Sequence, residues 1–205
     1  MKFSPSIFDV IAACLPKQGY VLEIGCGSGE LLRRLSRSSR CVFFGIDPDP
    51  NLVKQAAGAG LPVKAGRGEE IPYRRNYFDA VVMECVFSLC DSRQTVHELC
   101  RVLRPGGIAV IADLYSNTCD LTLRHSPMLK HLYRPETMNC LFRPAMELKS
   151  YGDYTKELRA MFFQMMLERK LCGCVGISDV PVLKEARVGY GLWVWRKPNI
   201  GGGLV

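Results

Sequence analysis

Residues 20–30 read YVLEIGCGSGE, an apolar run that enters a turn with glycine at every second position. Tyr20 to Ile24 has the pattern of a buried strand, and residues 30–35 restart the apolar spacing of a helix. Glycine in such a turn lets the backbone approach a ligand closely, where side chains would obstruct it. The dinucleotide fingerprint follows the same logic with another spacing. Strand, GxGxG turn and helix therefore predict a cofactor platform.

The alternation of strand and helix continues to residue 114, after an opening helix at 7–15. A second apolar strand, residues 41–46, ends at Asp47 and precedes a helix at 50–57. The later predicted elements are strands at 63–65, 78–83 and 107–114 and a helix at 93–103. Continuous apolar strands separated by helices indicate a parallel sheet covered on both faces. The predicted fold class is α/β, with a Rossmann-like doubly wound sheet.

A single domain is predicted for residues 1–205, with its core at 19–114. Beyond residue 115 the pattern loosens into a variable segment of about 115–170, in which residues 154–170 can form an amphipathic helix. Residues 188–196 predict a closing strand. No internal repeat, low-complexity tract or Gly/Ser-rich linker divides the chain.

The composition is that of an ordinary folded protein, with 48% hydrophobic and 23% charged residues. The apolar stretch 7–15 is broken by Asp9 and makes a poor signal peptide, and no uninterrupted apolar run reaches the roughly 18 residues of a membrane helix. We therefore predict a cytoplasmic protein without a membrane partner. In that compartment the ten cysteines are expected to be reduced thiols.

The net charge of +7 comes partly from four arginines between residues 33 and 40, whose spacing suits one exposed side of a helix. A solvated helix face is the favoured interpretation, because no aromatic residues interleave with these cations to stack bases. Nucleic acid is kept as a minor alternative partner.

Two carboxylates support the platform. Glu23 lies two residues before the first glycine, and Asp47 ends the second strand, where its carboxylate can accept both hydroxyls of a ribose. Asp47 followed by Pro48 also suits a turn or a helix start, and that role is compatible with ribose binding.

Four segments together resemble the motifs of class I methyltransferases, in the expected order. They are VLEIGCGSG at 21–29, GID at 45–47, FDAVV at 78–82 and LRPGG at 103–107. The resemblance implies a seven-stranded sheet whose last strand, here 188–196, runs antiparallel. It also implies S-adenosylmethionine as cofactor, S-adenosylhomocysteine as product and no metal. The implied cofactor-binding residues are Glu23, Gly25, Cys26, Gly27, Gly29, Asp47, Pro48, Gly68, Glu69 and Glu84.

Residues 66–73 resemble the loop of this family on the adenine side, with one departure. The Asp that commonly follows the first glycine is Arg67 here. Backbone amides near Gly68 and Glu69 can still position adenine, and Arg67 can serve as a surface cation.

Methyl transfer from a sulfonium is an in-line displacement that mainly requires alignment and exclusion of water, so a catalytic base is optional. For an oxygen or nitrogen acceptor the available bases are His97, His125, His131, Glu84 and Tyr115. His97 lies within a predicted helix and is read as structural or exposed, whereas His125 and His131 lie in the variable segment and are better placed.

Residues 84–89 follow the fourth strand, at the edge where open α/β sheets bind ligands. With residues 140–146 they resemble arsenite methyltransferases and related small bacterial methyltransferases, which implies that Cys85 and Cys140 face the substrate. Thiolates prefer soft centres such as trivalent arsenic. The usual glycines after the second cysteine are absent, as is an N-terminal cysteine pair. The alternative is that both are core thiols.

Cys172 and Cys174 are separated by one residue. This spacing suits either a redox-active or metal-binding pair or two thiols that pack in the core. Cys26, inside the glycine turn, is interpreted as structural.

The sequence thus predicts a methyltransferase acting on a small molecule, with a thiol-held metalloid as one hypothesis. A quinone or aromatic acceptor is the runner-up, and a non-catalytic cofactor-binding module is a different class. A nucleic acid methyltransferase ranks lower, because no Asn-Pro-Pro-aromatic signature follows the fourth strand to hold a flipped base.

Overall fold

A strand, a glycine turn and a helix occupy residues 20–38 in the computed structural model, which describes residues 6–123, 129–157 and 185–199. Strand β1 (Tyr20–Ile24) is apolar and almost entirely buried. The left-handed backbone of Gly29, with φ 82°, then starts helix α2 (Glu30–Ser38). A glycine is needed there because other residues adopt that conformation at a cost.

Five helices and one short 3₁₀ turn are described. They are α1 (Ile7–Cys14), α2, α3 (Pro50–Gly58), α4 (Ser92–Val102), α5 (Pro135–Phe142) and the 3₁₀ turn Phe87–Leu89. Ser6, Asp49 and Asp91 cap α1, α3 and α4, each accepting a hydrogen bond from a first-turn amide. These caps fix the residue at which each of the three helices begins.

Seven strands form one sheet in the order β3-β2-β1-β4-β5-β9-β8. Its other members are β2 (Val42–Asp47), β3 (Val63–Ala65), β4 (Phe78–Glu84), β5 (Leu103–Tyr115), β8 (Glu147–Asp153) and β9 (Gly189–Arg196). Strand β9 is antiparallel to both β5 and β8, and the first five strands are parallel. The predicted doubly wound sheet with an antiparallel last strand is confirmed.

Two cores cover the sheet. On the first face α4 and α5 pack on Leu22, Met83 and Trp195, and on the second face α1 and α2 pack on Val21 and Val82. Burying each large apolar side chain contributes about 1.5–3 kcal/mol. The two cores thus fix the carboxyl edge of the parallel strands, where β1, β2 and β4 all end.

The segment after residue 115 holds strands that the sequence did not reveal. Strands β6 (Leu121–Thr122) and β7 (His131–Leu132) form a short antiparallel pair. Strand β8 was missed because six of its seven residues are exposed, so it has no apolar alternation to detect. Residues from 158 in the predicted helix 154–170, together with His125 and the pair Cys172 and Cys174, lie outside the described residues.

Element boundaries differ slightly from the sequence expectation. Strand β5 begins at Leu103, which pairs with Phe78, instead of at residue 107. Within the described ranges no helix is both long and apolar enough to cross a membrane.

Candidate active site

The three glycines of the turn have left-handed backbones, with φ of 71° at Gly25, 52° at Gly27 and 82° at Gly29. A side chain at Gly25 would overlap Val86, and one at Gly29 would overlap Leu61. At Gly27 a Cβ atom would meet no other atom within 4 Å. Two of the glycines therefore permit close packing of the protein on itself, whereas the third faces open space that a ligand can occupy.

Asp47 fixes the turn from the neighbouring strand. Its Oδ2 accepts a hydrogen bond from the Gly27 amide at 2.9 Å, and its Oδ1 accepts one from the Asp49 amide at 2.9 Å. The side chain is buried, with 7% exposed. Each carboxylate oxygen can accept a second hydrogen bond, so the same group can hold the turn and two ligand hydroxyls.

A cavity of about 410 Å³ opens beside this turn. Five of the ten predicted cofactor residues line it, namely Gly25, Asp47, Pro48, Gly68 and Glu69. Sequence reasoning did not select the other lining residues, which are Ile24, Gly66, Arg67, Val86, Leu89, Cys90 and Lys130. Leu89 and Cys90 follow the β4 strand and were detectable by position. Lys130 comes from the variable segment and carried no sequence signal.

The loop on the adenine side is held by helix α4. The Arg101 guanidinium donates to the carbonyls of Tyr73 and Ile71 at 2.7 and 2.8 Å, and Glu98 accepts from the Ile71 amide at 2.8 Å. Glu69 accepts a hydrogen bond from the Asp91 amide at 2.8 Å, so its carboxylate is engaged at the start of α4. The loop is therefore fixed before any ligand binds.

Glu23 is a buried carboxyl group, only 4% exposed, with its Oε2 unpartnered among the described residues. Burial, with the neighbouring charges of Glu84 and Asp47, raises its pKa to about 8. Cys26 also lies beneath the turn, where a Cβ at Gly45 would come within 2.8 Å of its sulfur. Burial raises the pKa of the Cys26 thiol to about 12, which suits its interpretation as a packing residue.

At the end of β4 three polar side chains meet. The Tyr190 hydroxyl donates to Glu84 Oε1 at 3.0 Å, and the Cys85 sulfur lies 3.4 Å from the same oxygen and 3.9 Å from the Tyr190 hydroxyl. Cys85 has a left-handed backbone, with φ 55°, a conformation that costs energy in a non-glycine residue. Cys85 is exposed, yet the protein around its thiol and the Glu84 charge raise its pKa far above the ordinary range.

Comparison with known proteins identifies the domain. Residues 22–111 match the family model described as a methyltransferase domain. Residues 22–111 therefore form a methyltransferase domain of class I, whose cofactor is S-adenosylmethionine.

Relatives of this methyltransferase domain differ in their acceptors. The chain is 30% identical over 101 residues to the tRNA (carboxymethyluridine(34)-5-O)-methyltransferase of Arabidopsis thaliana, covering 47% of this chain and 24% of that protein. It is 30% identical over 112 residues to the ubiquinone/menaquinone biosynthesis C-methyltransferase UbiE of Desulfotalea psychrophila, covering 52% and 46%. The chain thus spans less than half the length of either relative.

Among solved structures, the chain is similar to the cyclase SpnF. The TM-score is 0.79 and the sequence identity 20%, with 94% of this chain and 81% of that chain covered. At this identity the likeness shows the fold alone, and a fold hosts more than one chemistry.

Cys140 has different surroundings from Cys85. It is exposed on α5 and lines a separate recess of about 430 Å³ with Arg93, Val96, Thr137, Leu141 and Pro144. The joint substrate contact of Cys85 and Cys140 stays a prediction. The described part of the chain contains no group of three or more His, Cys, Asp or Glu side chains that could hold a metal ion.

The other base candidates lie in varied surroundings. His97 is 79% exposed on α4, and His131 shares a hydrogen bond with Thr122 at 3.2 Å. Tyr115 is buried against Trp193.

Asp113 was not predicted from the sequence. It is a buried carboxyl group near the end of β5 that accepts a hydrogen bond from the Ser88 amide at 2.8 Å. Burial raises its pKa to about 6; its polar type within an apolar strand was the available signal.

Proposed function

We propose that this protein transfers a methyl group from S-adenosylmethionine to a small-molecule acceptor. The observation that carries the proposal is the cavity of about 410 Å³ beside Gly25 and Asp47. It joins the glycine turn, an acidic strand end and the fixed loop at Gly68 in one continuous surface. These are the features that a nucleoside with a polar tail requires.

The residues present fit that cofactor. Asp47 would accept the ribose hydroxyls, and the open space at Gly27 would admit the ligand against the backbone. The amides at Gly68 and Glu69 would face adenine. The unpartnered Oε2 of Glu23 is a buried acceptor that the protein leaves without a donor, and such groups are costly unless a ligand satisfies them.

S-adenosylmethionine supplies an electrophilic methyl group on a sulfonium centre. The protein's own contribution is to hold the acceptor in line and to exclude water. The exposed Cys85 lies just after the end of β4, beside the glycine turn, and it is the side chain that we place on the acceptor side. A soft, thiol-held acceptor remains one hypothesis for Cys85, and a quinone or aromatic acceptor is the other.

Calorimetric titration with S-adenosylhomocysteine tests the cofactor assignment, because binding needs no acceptor. A second assay follows methyl transfer from labelled S-adenosylmethionine to trivalent arsenic with added thiol, to a demethylated quinone precursor and to unmodified tRNA. Absence of cofactor binding would overturn the proposal. Binding without transfer to any acceptor would favour the non-catalytic module, and transfer only to tRNA would replace the small molecule with a nucleic acid.

A further inference from the structure

Glu23, Glu84 and Tyr190 project from the same face of the sheet. Glu23 pairs with Val82, two residues before Glu84 on the same strand, so both carboxylates lie on the second face. Glu84 pairs with Ala112, and Tyr190 pairs with Leu114, two residues further along β5. The three side chains therefore form a row across β1, β4 and β9 at the carboxyl edge.

Tyr190 reaches Glu84 across an intervening strand. Two strand spacings separate β4 from β9, about 10 Å, and Ala112 on β5 is the small, fully buried residue in between. The Tyr190 backbone is fixed, because its amide donates to Thr155 Oγ1 at 3.0 Å and its carbonyl accepts from the Tyr154 amide at 2.7 Å. A long, anchored side chain thus delivers one hydroxyl to Glu84 Oε1 at 3.0 Å.

The two carboxyl groups of the row lack a basic partner in the part of the chain that the structure describes. Glu23 Oε2 is unpartnered, and within the described ranges no basic side chain forms an ion pair with Glu23 or Glu84. Two carboxyl groups that lie on the same face of neighbouring strands and lack a cation are complementary to a ligand ammonium group.

We propose that Tyr190 is a positioning residue that holds the Glu84 carboxylate beside Glu23, so that both accept the ammonium group of the cofactor's amino-acid part. This inference rests on the proposed function, since it assumes that S-adenosylmethionine binds at the glycine turn. Tyr190 acts only through Glu84 and does not itself touch the ligand. This role accounts for two observations. The Tyr190 side chain reaches across two strand spacings to Glu84, and Glu23 Oε2 has no hydrogen-bond partner among the described residues.

Two ligands separate this role from a general structural one. S-adenosylhomocysteine carries the amino-acid part, whereas 5′-methylthioadenosine has the same nucleoside and thioether without it. We expect Tyr190→Phe to weaken binding of S-adenosylhomocysteine roughly five- to tenfold in calorimetry, because Tyr190 acts only through Glu84 and its loss removes one intramolecular hydrogen bond of ordinary strength. The affinity for 5′-methylthioadenosine should stay within about twofold. Glu84→Gln should show the same selectivity, and the double variant should lose little more than either single variant.

Tyr77→Phe is the matched control, because it removes a hydroxyl from an aromatic cluster with Tyr20 and Tyr73 and should leave both affinities unchanged. If Tyr190→Phe lowers the affinity for both ligands equally, or for neither, the inference is overturned. The proposed function still stands in that case, provided that the wild type binds S-adenosylhomocysteine. If Tyr190→Phe does not fold, Ala112→Val obstructs the path of the ring and must show the same selectivity, or the inference fails. A wild type that binds neither ligand overturns both.

Discussion

The two halves of the carboxyl edge are built differently. At the β1–β2 end, Gly27 and Asp47 are joined by a hydrogen bond and lie 20 residues apart in the chain. At the β4–β9 end, Glu84 and Tyr190 are joined in the same way but lie 106 residues apart. The first half is encoded in one local unit of strand, turn, helix and strand, whereas the second exists only once β9 has been inserted into the sheet. We place the nucleoside part of the cofactor at the locally encoded half, and we place its amino-acid part and the acceptor at the assembled half.

The largest expected effect is at Gly27. We expect Gly27→Val to abolish binding of S-adenosylhomocysteine, because a branched side chain would fill the open space beside the turn. Calorimetry of the purified variant measures the affinity, and circular dichroism confirms folding. Gly25→Ala is the comparison, since a Cβ there overlaps Val86 and should lower the melting temperature instead. Wild-type affinity in folded Gly27→Val would contradict the placement of the cofactor beside the glycine turn.

Asp47→Ala should weaken cofactor binding roughly 10- to 100-fold, since hydrogen bonds to a charged group contribute about 1.5–3 kcal/mol. The variant also loses acceptors for the amides of Gly27 and Asp49, so a small fall in melting temperature is expected. Asp47→Asn keeps one acceptor oxygen and should lie between wild type and Asp47→Ala. Unchanged affinity in both variants would remove Asp47 from the site.

A smaller effect links cofactor binding to protons through Glu23. Its pKa is raised to about 8 in the free protein, so the folded state holds a proton that the unfolded chain releases above about pH 4.5. The free energy of unfolding should therefore fall as pH rises from about 4.5 to 8, and Glu23→Gln should flatten that slope. An ammonium group beside Glu23 favours the ionised form, so binding at pH 7 should release a fraction of one proton. Calorimetry in buffers of different ionisation enthalpy measures it; equal release by Glu23→Gln would assign the proton elsewhere.

The smallest expected effect on cofactor affinity is at Cys85, which follows β4 in the assembled half. Cys85→Ser should leave S-adenosylhomocysteine binding nearly unchanged and, if the acceptor is a soft metalloid, abolish its methylation, because a hydroxyl is a harder and weaker ligand. Cys140→Ser, in its separate recess, tests whether a second thiol takes part. Full activity per folded Cys85→Ser molecule, with lower thermal stability, would identify Cys85 as a packing residue and leave the methyltransferase domain as assigned.

The sequence predicted what is encoded locally or repeats with a period. The glycine turn, Asp47 and the alternation of strands and helices each lie within a short window, and the family resemblance placed the antiparallel last strand. Strand β8 was not predicted because it has no apolar face that the sequence pattern would show. Backbone pairing with β9 holds it in the sheet. Tyr190 and Lys130 escaped because their neighbours at the site come from distant segments, and no pattern around either residue points to a ligand.

The position of β9 sets the order in which the protein can be completed during synthesis. Residues 189–196 are the last described strand in the chain, yet they fill the gap between β5 and β8. While a ribosome is still making them, β5 and β8 both present unpaired backbone edges, which are sites for association with other chains. The buried Trp193 and Trp195 are made in the same stretch, so two of the six buried aromatic side chains of the core on that face are added last. A nascent chain that stalls before residue 189 would therefore be a target for chaperones, however well its glycine turn has already formed.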